Sequence, residues 1–198
     1  MSNPTPAHPT AGASKPFIAS QRRIVTGHDS DGNSIIVSDD MAPNIVQPDA
    51  TPNMAMIDLW ETSSTPASNE GNDDAVARKM PLSPPQGGTI FRILEIPPEK
   101  ERDFSKVAAV FSQWGEGHVL NKRVNRYPTF HQTKTIDYAI VLEGSVWALL
   151  DIGETEMHPG DTLIQRGTNH AWANRSDKPA RIAFILIDAA PIHHPAAQ

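Results

Sequence analysis

Cysteine is absent from the 198 residues. That removes disulfides, zinc–thiolate sites and thiol nucleophiles together, and it fits a reducing, cytoplasmic compartment. Aromatic residues are sparse at 6%, whereas prolines number 18, a balance that points to irregular stretches outside a core. No apolar run reaches the ~18 residues that a spanning helix needs, so no membrane partner is expected. Basic charge is not in excess. The formal net charge is −6, with acids and bases interspersed, which argues against nucleic acid as a partner. The first residues show no basic region followed by an apolar one, so no secretory signal is expected.

What is present centres on His131 to Asn174. It reads HQTKTIDYAIVLEG, then a strand and a turn, then MHPGDTLIQRGTNHAWAN. Two apolar alternating segments end in glycine-bearing turns, and each has a histidine near one end. Five residues separate His131 from Asp137. On one straight strand at roughly 3.3 Å per residue, the two would lie about 20 Å apart and could not share a site. A reversal near Thr133, Lys134 and Thr135 would let them face each other, and the apolar run from Ile136 to Leu142 supports a fresh strand there.

Further strands are expected over Ser145–Asp151, Asp161–Gln165, Ala171–Asn174 and Arg181–Ile187. Turns fall at Gly144, Gly153, Gly160 and Asp177–Pro179. Short strands at such spacing, with no helices between them, indicate an antiparallel sandwich or barrel.

The first segment resembles the first motif of the cupin superfamily, in which two histidines one residue apart precede a glutamate and a closing glycine. His131 matches the first histidine and Gly144 the glycine. Thr133 stands where the second histidine is expected, and Asp137 replaces the glutamate. The second segment is similar to the second cupin motif through Gly167, His170 and Asn174, with Gln165 in place of a proline. The resemblance covers residues 88–190 and implies an all-β fold, an antiparallel double-stranded β-helix or jelly-roll barrel. It also implies pairing of two chains, a homodimer.

Around that barrel the chain divides as follows. Residues 1–20 are rich in Pro, Ala, Ser and Thr and are expected to form a flexible tail. Residues 21–87 should contribute strands and a long loop packing on the barrel. Within them, Asp29 to Asn33 reads as a hairpin turn rather than a metal loop, because no bidentate glutamate follows at calcium-loop spacing. Met54–Glu61 forms a further strand. Residues 62–86 are either mobile or a cover segment, and Gly88–Ile96 opens the barrel. Phe104, Val107, Ala108 and Phe111 recur at helical spacing between Asp103 and Gly115, so a short helix is expected there, with a strand as the competitor. Residues 191–198 form a second tail.

His131, Asp137 and His170 make a set of two imidazoles and one carboxylate. That donor set suits a divalent transition metal such as Zn, Fe, Mn or Ni and leaves coordination positions open for catalysis. Without the second histidine of the motif, the alternative is a metal-free pocket with two polar histidines. Tyr138 is a fourth catalytic candidate. Thr135 and Asn174 could orient the ligands. Thr133, Trp147 and Trp172 could wall the pocket, and Arg123 and Arg126 could hold a carboxylate or phosphate, against solvated surface charge as the default. By the resemblance, the expected activity is decarboxylase, lyase or isomerase chemistry on a small oxygenated molecule, or oxygenation if the metal is iron. The alternative is a non-catalytic small-molecule binder.

Overall fold

The computed structural model describes residues 20–48, 51, 53–113, 120 and 126–192. The expected tails at 1–19 and 193–198, and Arg123, lie outside them. Every strand pair is antiparallel. A hairpin of β1 (Arg22–His28) and β2 (Ser34–Met41) stands by itself. A six-stranded sheet runs in the order β3 (Ile45–Val46), β4 (Ala55–Thr62), β5 (Thr89–Ile96), β11 (Ala180–Asp188), β6 (Thr135–Glu143), β9 (Thr162–Arg166). A three-stranded sheet runs β10 (His170–Ala173), β7 (Val146–Leu150), β8 (Glu154–Met157).

The two sheets face each other across one core. Ile90 and Ile96 of β5, Ala139 and Val141 of β6, and Ile182, Phe184 and Leu186 of β11 meet Val146, Ala148, Met157 and Trp172 from the smaller sheet. The period-two alternation of each strand puts these residues inward and their neighbours outward. This is the jelly-roll barrel that the motifs imply. The β8 strand was not expected from sequence. Its residues Glu154, Thr155 and Glu156 are exposed and carry no apolar signal; only Met157 reaches the core.

Two further apolar clusters lie outside the barrel. Ala42, beyond the hairpin, packs with Ile57, Leu59, Ile93 and Ala183 on the back of the larger sheet. Phe130 covers Leu149, Ala171 and Ala173 on the back of the smaller one. Between β5 and β6, Asp103 caps a 3-10 turn over Phe104–Lys106, which runs into helix α1 (Val107–Gln113). The helical spacing therefore prevails over the β-branched residues here.

Within residues 62–86, the part from 74 to 82 acts as a cover. Asn44 donates to the carbonyls of Val76 and Arg78 at 2.8 and 3.2 Å. Arg23 forks onto Asp74, and Arg78 bridges Asp58 and Glu61. Val76 and Met80 of this strap are themselves buried. No helix among the described residues is long and apolar enough to cross a membrane.

Ile182 is fully buried at the centre of the barrel core, whereas Ile164 points outward and is 53% exposed. Ile182→Ala should lose about 2–5 kcal/mol of unfolding free energy in denaturant titration, and Ile164→Ala under about 0.5 kcal/mol.

Candidate active site

The chain bends at Lys134, and the bend separates the two halves of the first motif. His131 joins the smaller sheet. It exchanges backbone hydrogen bonds with His170, N–H to carbonyl in both directions at 2.9 and 3.0 Å. Asp137 joins the larger sheet, paired with Leu186 on β11 and Gln165 on β9. Because Asp137 shares its face with Ala139 and Val141, and His170 shares its face with Trp172, these side chains project into the same interior.

Each histidine is held by its own backbone. Nδ1 of His131 lies 2.9 Å from the Thr129 carbonyl, and Nδ1 of His170 lies 2.9 Å from the Thr168 carbonyl. A carbonyl only accepts, so each Nδ1 carries the proton and each Nε2 keeps its lone pair. Burial lowers the pKa of both rings, that of His170 to about 3 with the neighbouring His131 adding to the effect. Both are neutral at pH 7. Their ring centroids are 4.3 Å apart at a 48° tilt. Phe111 of α1 lies 5.2 Å from the His131 ring, Trp172 lies 6.0 Å from His170, and Phe184 lies 5.3 Å from Trp172. An unbroken file of five rings thus runs from the helix into the barrel.

Asp137 is 4% exposed, and its Oδ1 is buried without a hydrogen-bond partner. Burial raises its pKa to about 6; the Thr135 hydroxyl and the Arg92 charge pull the other way. Thr133 and Thr135 share a hydrogen bond of 2.7 Å, and both are buried. Gln165, where the motif has proline, donates to the Thr168 carbonyl at 2.8 Å and also bonds the Thr168 hydroxyl. Thr168 in turn anchors the His170 ring. Gln132 ties the same turn to the His131 segment through the Gly167 carbonyl at 2.7 Å.

Several expected site residues stand elsewhere. Tyr138 follows the inward Asp137, so the strand alternation turns it out, and it is 41% exposed. Trp147 lies on the back of the smaller sheet, with the Arg175 guanidinium 4.5 Å above its ring. Arg126 donates to the Leu150 carbonyl at 2.8 Å and to Glu154 at 3.1 Å, on the exterior. Asn174 orients no ligand. Its amide bonds the Ile96 and Lys178 carbonyls and closes the turn after β10. Thr133, Thr135 and Trp172 are buried.

The three-residue metal set also needs correction. Among the described residues, no three His, Cys, Asp or Glu side chains converge as a metal site. His131 and His170 offer two neutral Nε2 lone pairs, but Asp137 does not complete the set. The residues as arranged do not fit a three-ligand metal.

The pair Arg92–Asp58 did not figure among the expected site residues. Arg92 is 3% exposed and sits on the face that also carries Ile90 and Ile96. Its Nε donates to Asp58 Oδ1 at 2.6 Å and its Nη2 to Oδ2 at 3.2 Å. The alternation of Ile90, Arg92 and Leu94 carried the signal, but the matching aspartate lies 34 residues away on β4.

The Asp137 shift has a stability consequence. Its folded pKa lies above the ordinary aspartate value of 3.8, so the native state holds the proton more tightly. That contribution is complete below about pH 4 and is lost as pH rises through about 6. The stability of the native chain relative to Asp137→Asn should therefore fall across that window and level off above it, in urea unfolding at stepped pH.

No protein-family profile matches the chain. Curated relatives do. The "cupin-domain-containing oxidoreductase fogC" of Aspergillus ruber is 28% identical, over 96% of this chain and 80% of that one. The "cupin-domain-containing oxidoreductase srdB" of Neurospora crassa is 27% identical, over 96% and 83%. The "phomopsin biosynthesis cluster protein C'" of Diaporthe leptostromiformis is 28% identical, over 89% and 83%. Among solved structures, the cupin domain of Schizosaccharomyces pombe Cnp3 aligns with a TM-score of 0.41 at 10% identity, covering 84% of this chain and 87% of that one. With relatives named as cupin-domain proteins aligned along nearly its whole length and two antiparallel sheets closed on one interior, the chain is similar to the cupin superfamily in sequence and shares its jelly-roll fold.

Proposed function

We propose that this chain is an enzyme that moves a proton on a small oxygenated organic molecule, in the manner of an isomerase or lyase. One observation carries the reading: two imidazoles pinned through Nδ1–H, ring beside ring, share an interior with a buried carboxyl oxygen that has no partner. Leaving such an oxygen unpaired costs about 1–3 kcal/mol, and a ligand hydroxyl or carbonyl would offset that cost.

The roles follow from the protonation states. Below about pH 6, Asp137 is in its acid form and donates a hydrogen bond to a substrate carbonyl oxygen. An Nε2 lone pair of His131 or His170 takes the proton from the adjacent carbon. The carboxyl proton passes to the oxygen as the C–H bond breaks, which gives an enol. With an α-hydroxy carbonyl substrate that enol is an enediol; return of the imidazolium proton to the former carbonyl carbon, as the neighbouring hydroxyl gives its proton to the Asp137 carboxylate, yields the isomer. The Thr133–Thr135 hydroxyl pair orients the oxygen end. The names of the relatives support an enzyme of small-molecule biosynthesis. An oxidation would in addition need an electron acceptor, whereas proton movement is what these side chains supply.

Small ketones and aldehydes incubated with the chain in D2O should gain deuterium beside the carbonyl, read by mass spectrometry. His170→Gln and Asp137→Asn should each slow this by about 10²–10⁴-fold while circular dichroism shows the fold intact. Dialysis against a chelator should leave exchange unchanged. Exchange that is lost on chelation and restored by added Zn, Fe, Mn or Ni would replace this reading with a metal-dependent one. Retention of a compound with no exchange in any would leave a binding protein.

A further inference from the structure

We propose that the interior site admits a neutral, flat, oxygen-bearing molecule and discriminates against its carboxylate counterpart, because the Arg92 guanidinium on the inner wall is already committed to Asp58. This rests on the interior being the ligand site, as argued above.

The charges on the barrel wall carry the argument. Among the described residues, inward positions on β5, β6, β9, β10 and β11 hold one cation, Arg92. Four of its five N–H donors are engaged. Besides the two bonds to Asp58, Nη2 donates to the Pro81 carbonyl at 2.5 Å and Nη1 to the Leu82 carbonyl at 3.1 Å. Asp58 is fully buried and depends on this fork and on Arg78 at 3.1 Å. A ligand carboxylate that drew the guanidinium away would leave a buried aspartate short of partners.

The remaining polar surface repels an anion. Among the described residues it consists of two Nε2 lone pairs, the Asp137 carboxyl and the paired hydroxyls of Thr133 and Thr135. The Gln165 amide is occupied by Thr168. Arg126, a sequence candidate for anion capture, is tied to the exterior turn between β7 and β8. An anion in the site would lose its water, face two Nε2 lone pairs and the Asp137 carboxylate, and gain at most one hydroxyl donor in return. A neutral carbonyl or hydroxyl compound needs only the one or two hydrogen bonds on offer. The file of Phe111, His131, His170, Trp172 and Phe184 supplies ring faces and edges for an unsaturated body.

The test compares two molecules of one shape, acetophenone and benzoate, by ligand-observed NMR titration in the presence of chelator at pH 7.5. The full chain should bind acetophenone at least about tenfold more tightly than benzoate, since the anion's desolvation goes unpaired. Trp172→Ala should weaken acetophenone. Asp58→Asn releases the guanidinium and should narrow the gap by about tenfold, and Asp58→Asn with Arg92→Gln should restore it. If Asp58→Asn does not fold, benzamide against benzoate on the native chain poses the same question with a second neutral probe. Equal or tighter binding of benzoate by the native chain overturns the proposal, as does no binding of acetophenone at millimolar concentration. Occupancy and turnover fail separately. A chain that holds acetophenone but exchanges no deuterium loses the catalytic reading alone. A chain that exchanges deuterium yet prefers benzoate loses the charge reading alone.

Discussion

The reciprocal backbone pair between His131 and His170 is the constraint on which the site depends. It is a single bridge outside the regular ladders, yet it fixes two imidazoles at once. With the backbones joined, each ring can reach the carbonyl two residues behind it, and that bond selects the tautomer. Burial then keeps both rings neutral. Orientation, protonation state and proximity thus follow from two N–H···O bonds and the exclusion of water.

The rest of the chain serves this pair by closing the interior around it. The file of aromatic rings continues it into the core, and α1 brings Phe111 over the His131 ring. The turn that carries His170 is braced by Gln165 and Gln132, so the loss of the motif proline is compensated by amide hydrogen bonds. On the larger sheet, the strap over residues 72–82 seals the side of the barrel where Arg92 and Asp58 lie. An ion pair this deeply buried is costly to desolvate and adds little net stability by itself. Its consequence is electrostatic: among the described residues it leaves the inner strand faces without an unpaired positive charge.

How much of this was legible in the sequence depended on distance along the chain. Alternation located most strands and the bend before Asp137. It also held the information that moves Tyr138 outward, since a residue adjacent to an inward aspartate on a strand must face the other way. Trp147 was less legible, because an aromatic on a strand signals burial without saying on which side of a sheet. The exposed glutamates of β8 concealed a strand that only pairing reveals.

What the sequence determined by itself was local: the period-two strands, the glycine turns, and the two histidine-bearing segments that mark the superfamily. Those features depend on residues a few positions apart, where backbone geometry leaves few options. Only the tertiary structure decided which groups meet. It joined His131 to His170, left Asp137 without a partner on the facing sheet, and set Asp58 against Arg92 across 34 residues of chain. Such pairings arise from sheet register and closure of the barrel, and neither is written in any short stretch of sequence.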